Sequence, residues 1–538
     1  MGIRPSDGVR PSGRAGAWEV LLEGRAEAVG DAATLAAWLE ERGPVALGGL
    51  DGWHSGVAIR HPGGAGGAAE LHLFTGFLGL EPCFWVPWRD GFAFAPSLAL
   101  LRRLVPGELD LDACADVVVL GHAMGVDTLE AGIRTLPPGQ RLVYDGVSMR
   151  FVPAPRSTSP CRPEEVGAWL REVWPRLVAR SFQRPGRVGA LLSGGLDSRA
   201  VALASPPGVP TFTFGRPGTL DVVLAAEVAR QLGRPHTVVP IAPDAISTHV
   251  AGLIARLSGM VNPCHAPGAD TAEAVAMQVD HLASGSFGDA LMGSTAKRLP
   301  ADASGLDCLR ATVSSLDPRY RDQLVAQPIL ASVEARLQAR VEPELDALDP
   351  PRRAARYLFA HRVRRFTAAG VADRRARTET VHPFYAAELF AAMEGAPLAE
   401  WQSGALYCGL LRSLHPAAMV PWARTGLPFD APAEAVAKVV ASRRRERAWD
   451  RLLRNLGFGG RWDPRSFHDV GWLLRNDPHN RAFLVEVLAP AQLAPFPFLH
   501  ADGVAAVLND HLRGRRDNST LLGRLVALSL WAEIRAQA

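Results

Sequence analysis

At 538 residues the chain is too long for one hydrophobic core, so two or more domains are expected. Its 48% hydrophobic and 21% charged residues are ordinary for a globular protein, and no apolar run reaches membrane-spanning length. A formal net charge of +3 gives no reason to expect nucleic acid as the main partner.

The opening stretch, MGIRPSDGVRPSGRAGAW, holds no apolar segment of signal-peptide type, and a cytoplasmic location is expected. Gly2 and Ser6 fit a myristoylation pattern only superficially, without a second anchoring signal. Residues 17–152 read as β-rich with a few helices. VALGGLDGWHSGVAIR, AELHLFTGFLGL, CFWVPW and GFAFAP are short apolar pieces between glycine-rich turns. DAATLAAWLEERG and SLALLRRLVPG read as helices, each stopped by a glycine. TLPPGQRLVYDG and VSMRFVPAP resemble a hairpin and exit strand. The proline- and serine-rich stretch 153–165, PAPRSTSPCRPEE, reads as a linker. These features divide the chain at residues 1–155 and 156–538.

After the linker, Val166, Leu170, Val173 and Leu177 recur at helical spacing. From residue 187 the order becomes strand, turn, helix: RVGALL, SGGLDS, RAVALAS. PTFTFG, DVVLAAEVARQLG and HTVVPI continue the alternation, which indicates a parallel sheet of nucleotide-binding type. Residues 303–538 read as mostly helical. The six cysteines (Cys83, Cys114, Cys161, Cys264, Cys308, Cys408) include no CxxC pair and fit neither a disulfide framework nor a zinc cluster. Cys264 and His265 lack partner spacing for a metal. The arginine runs ASRRRERAWD and RVRRFTAAGVADRRARTE are expected to be solvated helix faces, or contacts to acidic groups if the substrate is peptidic.

The turn Ser193-Gly194-Gly195-Leu196-Asp197-Ser198 stands between an apolar strand and a helix start. Two glycines let the backbone curl closely, and N–H groups, the helix dipole and two hydroxyls then favour a multiply charged anion. An aspartate in such a pocket calls for a cation, usually Mg²⁺. A Walker P-loop is excluded, because its lysine is absent. Without a ligand, the same residues would make a tight turn with a capping serine.

SGGLDS after an apolar strand resembles the PP-loop of the ATP pyrophosphatases, which cleave ATP to AMP and pyrophosphate. LASGSFGDALMGS (282–294) resembles the asparagine-synthetase segment SGEGSDELFGG: Ser284, Gly285, Asp289, Leu291 and Gly293 match, while Ser286 and Ala290 replace the usual glutamates. The resemblance implies that Asp197 and Asp289 hold Mg²⁺ on the pyrophosphate. It also implies that Leu192, Ser193, Gly194, Gly195, Leu196, Asp197, Ser198, Phe214 and Gly285 bind ATP. RTETVHPFYAAEL resembles the EARVPFLD segment, which puts Glu379 near the acyl-adenylate and the incoming amine. MVPWARTGLPF resembles the segment carrying the family's adenylation lysine. Arg424 stands there, and Lys438, fourteen residues on, is the alternative; the arginine is not a conservative replacement. FLGLEPCFW and GVDTLEAGIRTLPPGQRLVYD resemble the N-terminal glutaminase domain of these synthetases.

Glutamine-hydrolysing members begin with cysteine after the initiator methionine, whereas this sequence reads Met1-Gly2-Ile3 and has its first cysteine at Cys83. The expected architecture is α/β. A silent, Ntn-hydrolase-like β-rich N-terminal domain precedes a PP-loop parallel-sheet synthetase domain with a helical C-terminal part. The expected activity is ATP- and Mg²⁺-dependent adenylation of a peptide or small-molecule carboxylate, followed by coupling to a non-glutamine amine. Relatives with a silent first domain include β-lactam synthetases, carbapenam synthetases and lasso-peptide cyclases. β-Lactam synthetases keep the lysine and place tyrosine at the Ser286 position. By elimination this leaves a macrolactam peptide cyclase, with a precursor-processing protease as the expected partner. Two alternatives stay open: an amidotransferase using free ammonia or a separate glutaminase, and an inactive ATP-binding scaffold.

Overall fold

A computed structural model of the chain describes residues 12–24, 26, 30–62, 69–155, 157–263, 266, 268–293, 299–375, 377–455, 462–466 and 468–537. Gly2, Ser6, Cys264, His265 and Lys297 lie outside the described residues.

The first part of the chain is antiparallel. Strands β1 (Ser12–Ala15), β2 (Trp18–Gly24), β3 (His54–Arg60), β4 (Glu70–Thr75), β8 (Gln140–Tyr144) and β9 (Met149–Pro153) form one sheet in that order. β5 (Phe84–Trp88), β6 (Gly91–Ala95) and β7 (Arg134–Thr135) form a second sheet in the order β6-β5-β7. Alternation puts Trp18, Val20 and Leu22 of β2 into a core with Leu35, Leu39 and Phe74. The helix Ala32–Arg42 begins where the Asp31 carboxylate accepts from the Thr34 N–H, and ends at Gly43, whose φ of 71° is the left-handed conformation that glycine tolerates.

The second expected helix runs Leu98–Leu104 and ends at Val105, two residues before the glycine expected to stop it. Pro106 follows, and the residue before a proline is disfavoured in helical conformation. A third helix, Leu111–Leu120, has no counterpart in the sequence reading. Nearly all of its residues are buried, so its apolar run has no amphipathic period to betray it.

The second sheet type is parallel, with the order β12-β11-β10-β13-β14: β10 Val188–Leu191, β11 Thr211–Phe214, β12 His236–Val239, β13 His281–Ala283 and β14 Glu379–Val381. Helices Leu196–Ala204 and Leu220–Gln231 connect the first three strands, as the alternation predicts. After β13 the chain is almost entirely helical to Gln537. No helix among the described residues is long and apolar enough to cross a membrane.

The RVRRFTAAGVADRRARTE run corrects an expectation. Arg364 and Arg365 lie on a π-helical stretch, Leu358–Thr367, and both are buried rather than solvated. Arg364 donates to the carbonyls of Gly79 (3.0 Å) and Leu136 and to the Thr135 hydroxyl (2.9 Å). Arg365 donates to the carbonyls of Gly125 (2.7 Å) and Asp127 (2.9 Å). A guanidinium offers five donors in a fixed fork, so each of these arginines satisfies several loop carbonyls of the β-rich part at once.

Candidate functional site

The carboxyl edge of the parallel sheet carries the glycine-rich turn. Leu192, buried at the end of β10, donates its N–H to the Phe212 carbonyl (2.9 Å), and its own carbonyl accepts from the Thr213 hydroxyl (2.6 Å). The chain then curls on itself. The Ser193 N–H donates to Ser198 Oγ (2.9 Å), the two serine hydroxyls are 2.9 Å apart, and the Gly195 N–H donates to Ser193 Oγ (3.1 Å). The helix Leu196–Ala204 starts here, so its free N–H end and positive dipole face the same turn.

Gly194 is required by space. A Cβ there would fall 2.7 Å from the Ala423 Cβ and 2.9 Å from Asp221 Oδ1. Asp221 accepts from the Gly194 N–H, and burial holds its carboxyl up at about 6. The Gly194 carbonyl accepts from the Ala423 N–H (3.1 Å), which ties the MVPWARTGLPF segment to the turn. Arg199 completes the tie. Fully buried, it donates to the carbonyls of Ala418 (2.9 Å), Val420 and Pro421 (2.9 Å).

The loop after β13 packs directly on the turn. A Cβ on Gly285 would lie 2.3 Å from the Asp197 carbonyl carbon and the Ser198 nitrogen, and one on Gly288 would lie 2.7 Å from Asp197 Cγ. Neither contact leaves room for any other residue. Phe287, at φ 77°, turns the chain into the short helix Gly288–Leu291. The Asp289 N–H then donates to Asp197 Oδ2 (2.9 Å), and the Tyr407 hydroxyl donates to Asp197 Oδ1 (2.7 Å). Asp197 and Asp289, 92 residues apart in sequence, thus meet. Burial, and then the neighbouring Asp289 charge, push the Asp197 carboxyl up to about 7.

A carboxylate held near neutrality by burial and a like charge is a position that a divalent cation would relieve. Mg²⁺ commonly takes one or two carboxylates and completes its shell with phosphate oxygens and water. Two carboxylates beside a turn rich in N–H donors fit that ion. Among the described residues no cluster of three or more His, Cys, Asp or Glu offers a self-contained metal cage.

Other candidate residues are distributed unevenly. Phe214 ends β11 at the same carboxyl edge, with the Arg374 guanidinium 5.2 Å from its ring. Glu379 is not brought to the turn. It opens β14 in register with His281, at the amino ends of these strands, and accepts from Arg184 Nη1 (2.7 Å) with His281 Nδ1 at 3.1 Å. Arg424 is exposed beside the turn, its guanidinium 5.4 Å from the Trp422 ring. Lys438 is exposed on the helix Ala433–Asn455. Sequence reasoning missed Tyr407, Arg199 and Asp221. No local pattern announces Tyr407 or Asp221; Arg199 directly follows the motif but acts on a segment some 220 residues away.

A parallel sheet whose strand ends carry a glycine-rich turn and two converging carboxylates is an α/β domain of PP-loop type. Residues 170–414 match the family described as Asparagine synthase, and the chain carries an asparagine synthase domain over that stretch. Its curated relatives include proteins described as "Putative asparagine synthetase (glutamine-hydrolyzing)" from Mycobacterium bovis and two strains of Mycobacterium tuberculosis. Each is 27% identical over 264 residues, covering 45% of this chain and 40% of the relative. The match thus spans about two fifths of those relatives' length.

Proposed function

We propose that the protein is an ATP-dependent, AMP-forming carbon–nitrogen ligase that adenylates a carboxylate and couples it to a non-glutamine amine, as a lasso-type macrolactam peptide cyclase. In this reading residues 156–538 form the adenylating domain, and residues 1–155 form a glutaminase-like domain without glutaminase chemistry. The observation that carries the ligase reading is the meeting of Asp197 and Asp289 over the Ser193–Ser198 turn.

The turn's N–H groups, now held by the Ser193 and Ser198 hydroxyls, are the donors that phosphate oxygens would take over. Tyr407 and the Asp289 N–H fix the Asp197 carboxylate in position. Bound Mg²⁺ would supply neutralisation of the pyrophosphate charge. Arg424, beside the turn, adds fixed positive charge within reach of the same region. Catalysis would then rest on orientation and charge stabilisation.

Two observations support the finer reading. In the β-rich part Cys83 and Cys114 are packed and inert: burial raises both thiols, that of Cys83 to about 12. Beside the site, Arg443 on the exposed helix Ala433–Asn455 donates to the Arg424 carbonyl, and Arg444 and Arg445 follow it. That helix offers basic groups to an acidic peptide. The second reading is an amidotransferase using free ammonia or a separate glutaminase; the description of the mycobacterial relatives as asparagine synthetases favours its amidotransferase part, although those relatives are described as glutamine-hydrolyzing.

Substrate-dependent exchange of labelled pyrophosphate into ATP tests the ligase. Asp197→Ala is expected to abolish exchange, and unchanged exchange sinks the assignment. Ammonium-dependent amide formation without any peptide would instead establish the amidotransferase.

A further inference from the structure

A narrow cavity lies far along the chain from the turn's own residues. Its lining includes Val117, His122, Val261, Arg365, Phe366 and Arg524. Four segments meet there: the end of helix Leu111–Leu120, the turn 259–262, the π-helical stretch Leu358–Thr367 and the helix Ser519–Gln537. Long π-helical runs are rare and recur at functional positions.

The cavity's charged groups are two arginines, His122 and Asn262 add neutral polar groups, and no carboxylate lines it. Arg365 commits Nε and Nη2 to loop oxygens, but its Nη1 has only the Met260 sulfur, at 4.0 Å, among the described residues. Arg524 gives Nη1 to the Val118 carbonyl (2.7 Å) and Nη2 to that of Ser314, leaving Nε without a partner among the described residues. His122 is 5% exposed. Its Nδ1 donates to the Ala123 carbonyl (3.2 Å), and its Nε2 has no partner among the described residues.

The acid that acts on Arg365 is Asp127, whose carboxylate is already paired with Arg340. Arg362 adds further positive charge to Arg524 and His122. Buried charges are ordinarily paired with opposite charge, whereas here two guanidiniums face carbonyls and an open space. Burial accordingly depresses both arginines to about 10 and His122 to about 4.

We propose that this cavity binds a small inorganic monoanion, a halide or hydrogencarbonate, between Arg365, Arg524 and His122. The narrow space excludes a nucleotide. The anion would complete the unfilled donors of both arginines and join the β-rich part to the helical C-terminal part. His122 Nε2 would accept the hydroxyl of hydrogencarbonate, or a water accompanying a halide. The proposal does not depend on the ligase reading.

The test uses the full chain at constant pH and ionic strength, with sodium gluconate replaced stepwise by chloride, bromide or hydrogencarbonate. The expected result is a saturable rise of the unfolding midpoint on the order of a few degrees with at least one small anion. The ranking of the anions separates halide from oxyanion. Val261→Phe, which fills the cavity and spares the arginines, should lose the rise. Should that variant fail to fold, bromide anomalous scattering from wild-type crystals decides the matter, with a peak expected between Arg365 and Arg524. Equal midpoints in gluconate and all small anions would overturn the proposal. So would a rise retained by Val261→Phe, or bromide found on the surface but not in the cavity.

Discussion

The two sheet systems of this chain put their polar groups to opposite uses. The antiparallel part packs its cysteines Cys83 and Cys114 against apolar neighbours and leaves them inert. The parallel part ends its strands in loops so close that two glycines touch the backbone and carboxylate of Asp197, and it holds that carboxylate at about 7. Burial suppresses chemistry in the first and tunes it in the second. The difference lies in strand direction. Parallel strands converge with their carboxyl ends on one edge, where helix starts and loops meet, whereas antiparallel strands scatter their ends to both sides.

The comparison breaks most visibly where the two parts are joined. Arg364→Leu should leave the carbonyls of Gly79 and Leu136 without this donor, while the Thr135 hydroxyl keeps Arg365, at about 1 kcal/mol for each orphaned carbonyl and about 2 kcal/mol in all. Chemical denaturation should show the loss, with the β-rich part becoming susceptible to proteolysis first. Gly285→Ala forces a Cβ against backbone that cannot move aside. A loss of about 1–3 kcal/mol is expected from overpacking, together with loss of ATP binding by calorimetry.

A pH series sharpens the contrast. The folded-state value of Asp197, about 7, lies above its ordinary 3.8. The folded protein therefore holds this proton more tightly than the unfolded chain. The associated stability is fully present below the unfolded value and is lost as pH rises through about 7. Asp197→Asn stays neutral and should gain on the wild type between pH 4 and pH 7, then keep a constant advantage. Paired urea melts at pH 4.5, 6 and 8 measure this, and a constant difference across the series would refute the assignment. The smallest effect belongs to the antiparallel part. Cys83→Ala should cost about 1 kcal/mol of packing without changing pyrophosphate exchange, and native Cys83 should resist iodoacetamide at pH 8.

Much of the site was legible because its chemistry is local. Ser193–Ser198 needs consecutive residues to make one turn, and Gly285 with Asp289 needs only five to make the facing loop. Period and turn residues also marked most strands and the alternation after residue 187. Where signals were contextual, reading failed. The helix Leu111–Leu120, buried along nearly all its length, showed no amphipathic period, and the arginines of the π-helical stretch looked solvated because charge ordinarily is. Glu379 matched a motif by spacing, yet in the fold its carboxylate pairs with Arg184 and His281 at the far end of its strand.

The sequence by itself determined which backbone turns could form and which side chains stood in them, since those choices rest on steric and hydrogen-bonding rules among near neighbours. Only the tertiary structure decided that Asp197 meets Asp289 and Tyr407, and that Arg199 clasps the 418–421 segment. It likewise decided that Arg364 and Arg365 are buried rather than exposed. Those contacts join residues tens to hundreds of positions apart. Their energies depend on which distant surface excludes water, a property that no local stretch encodes.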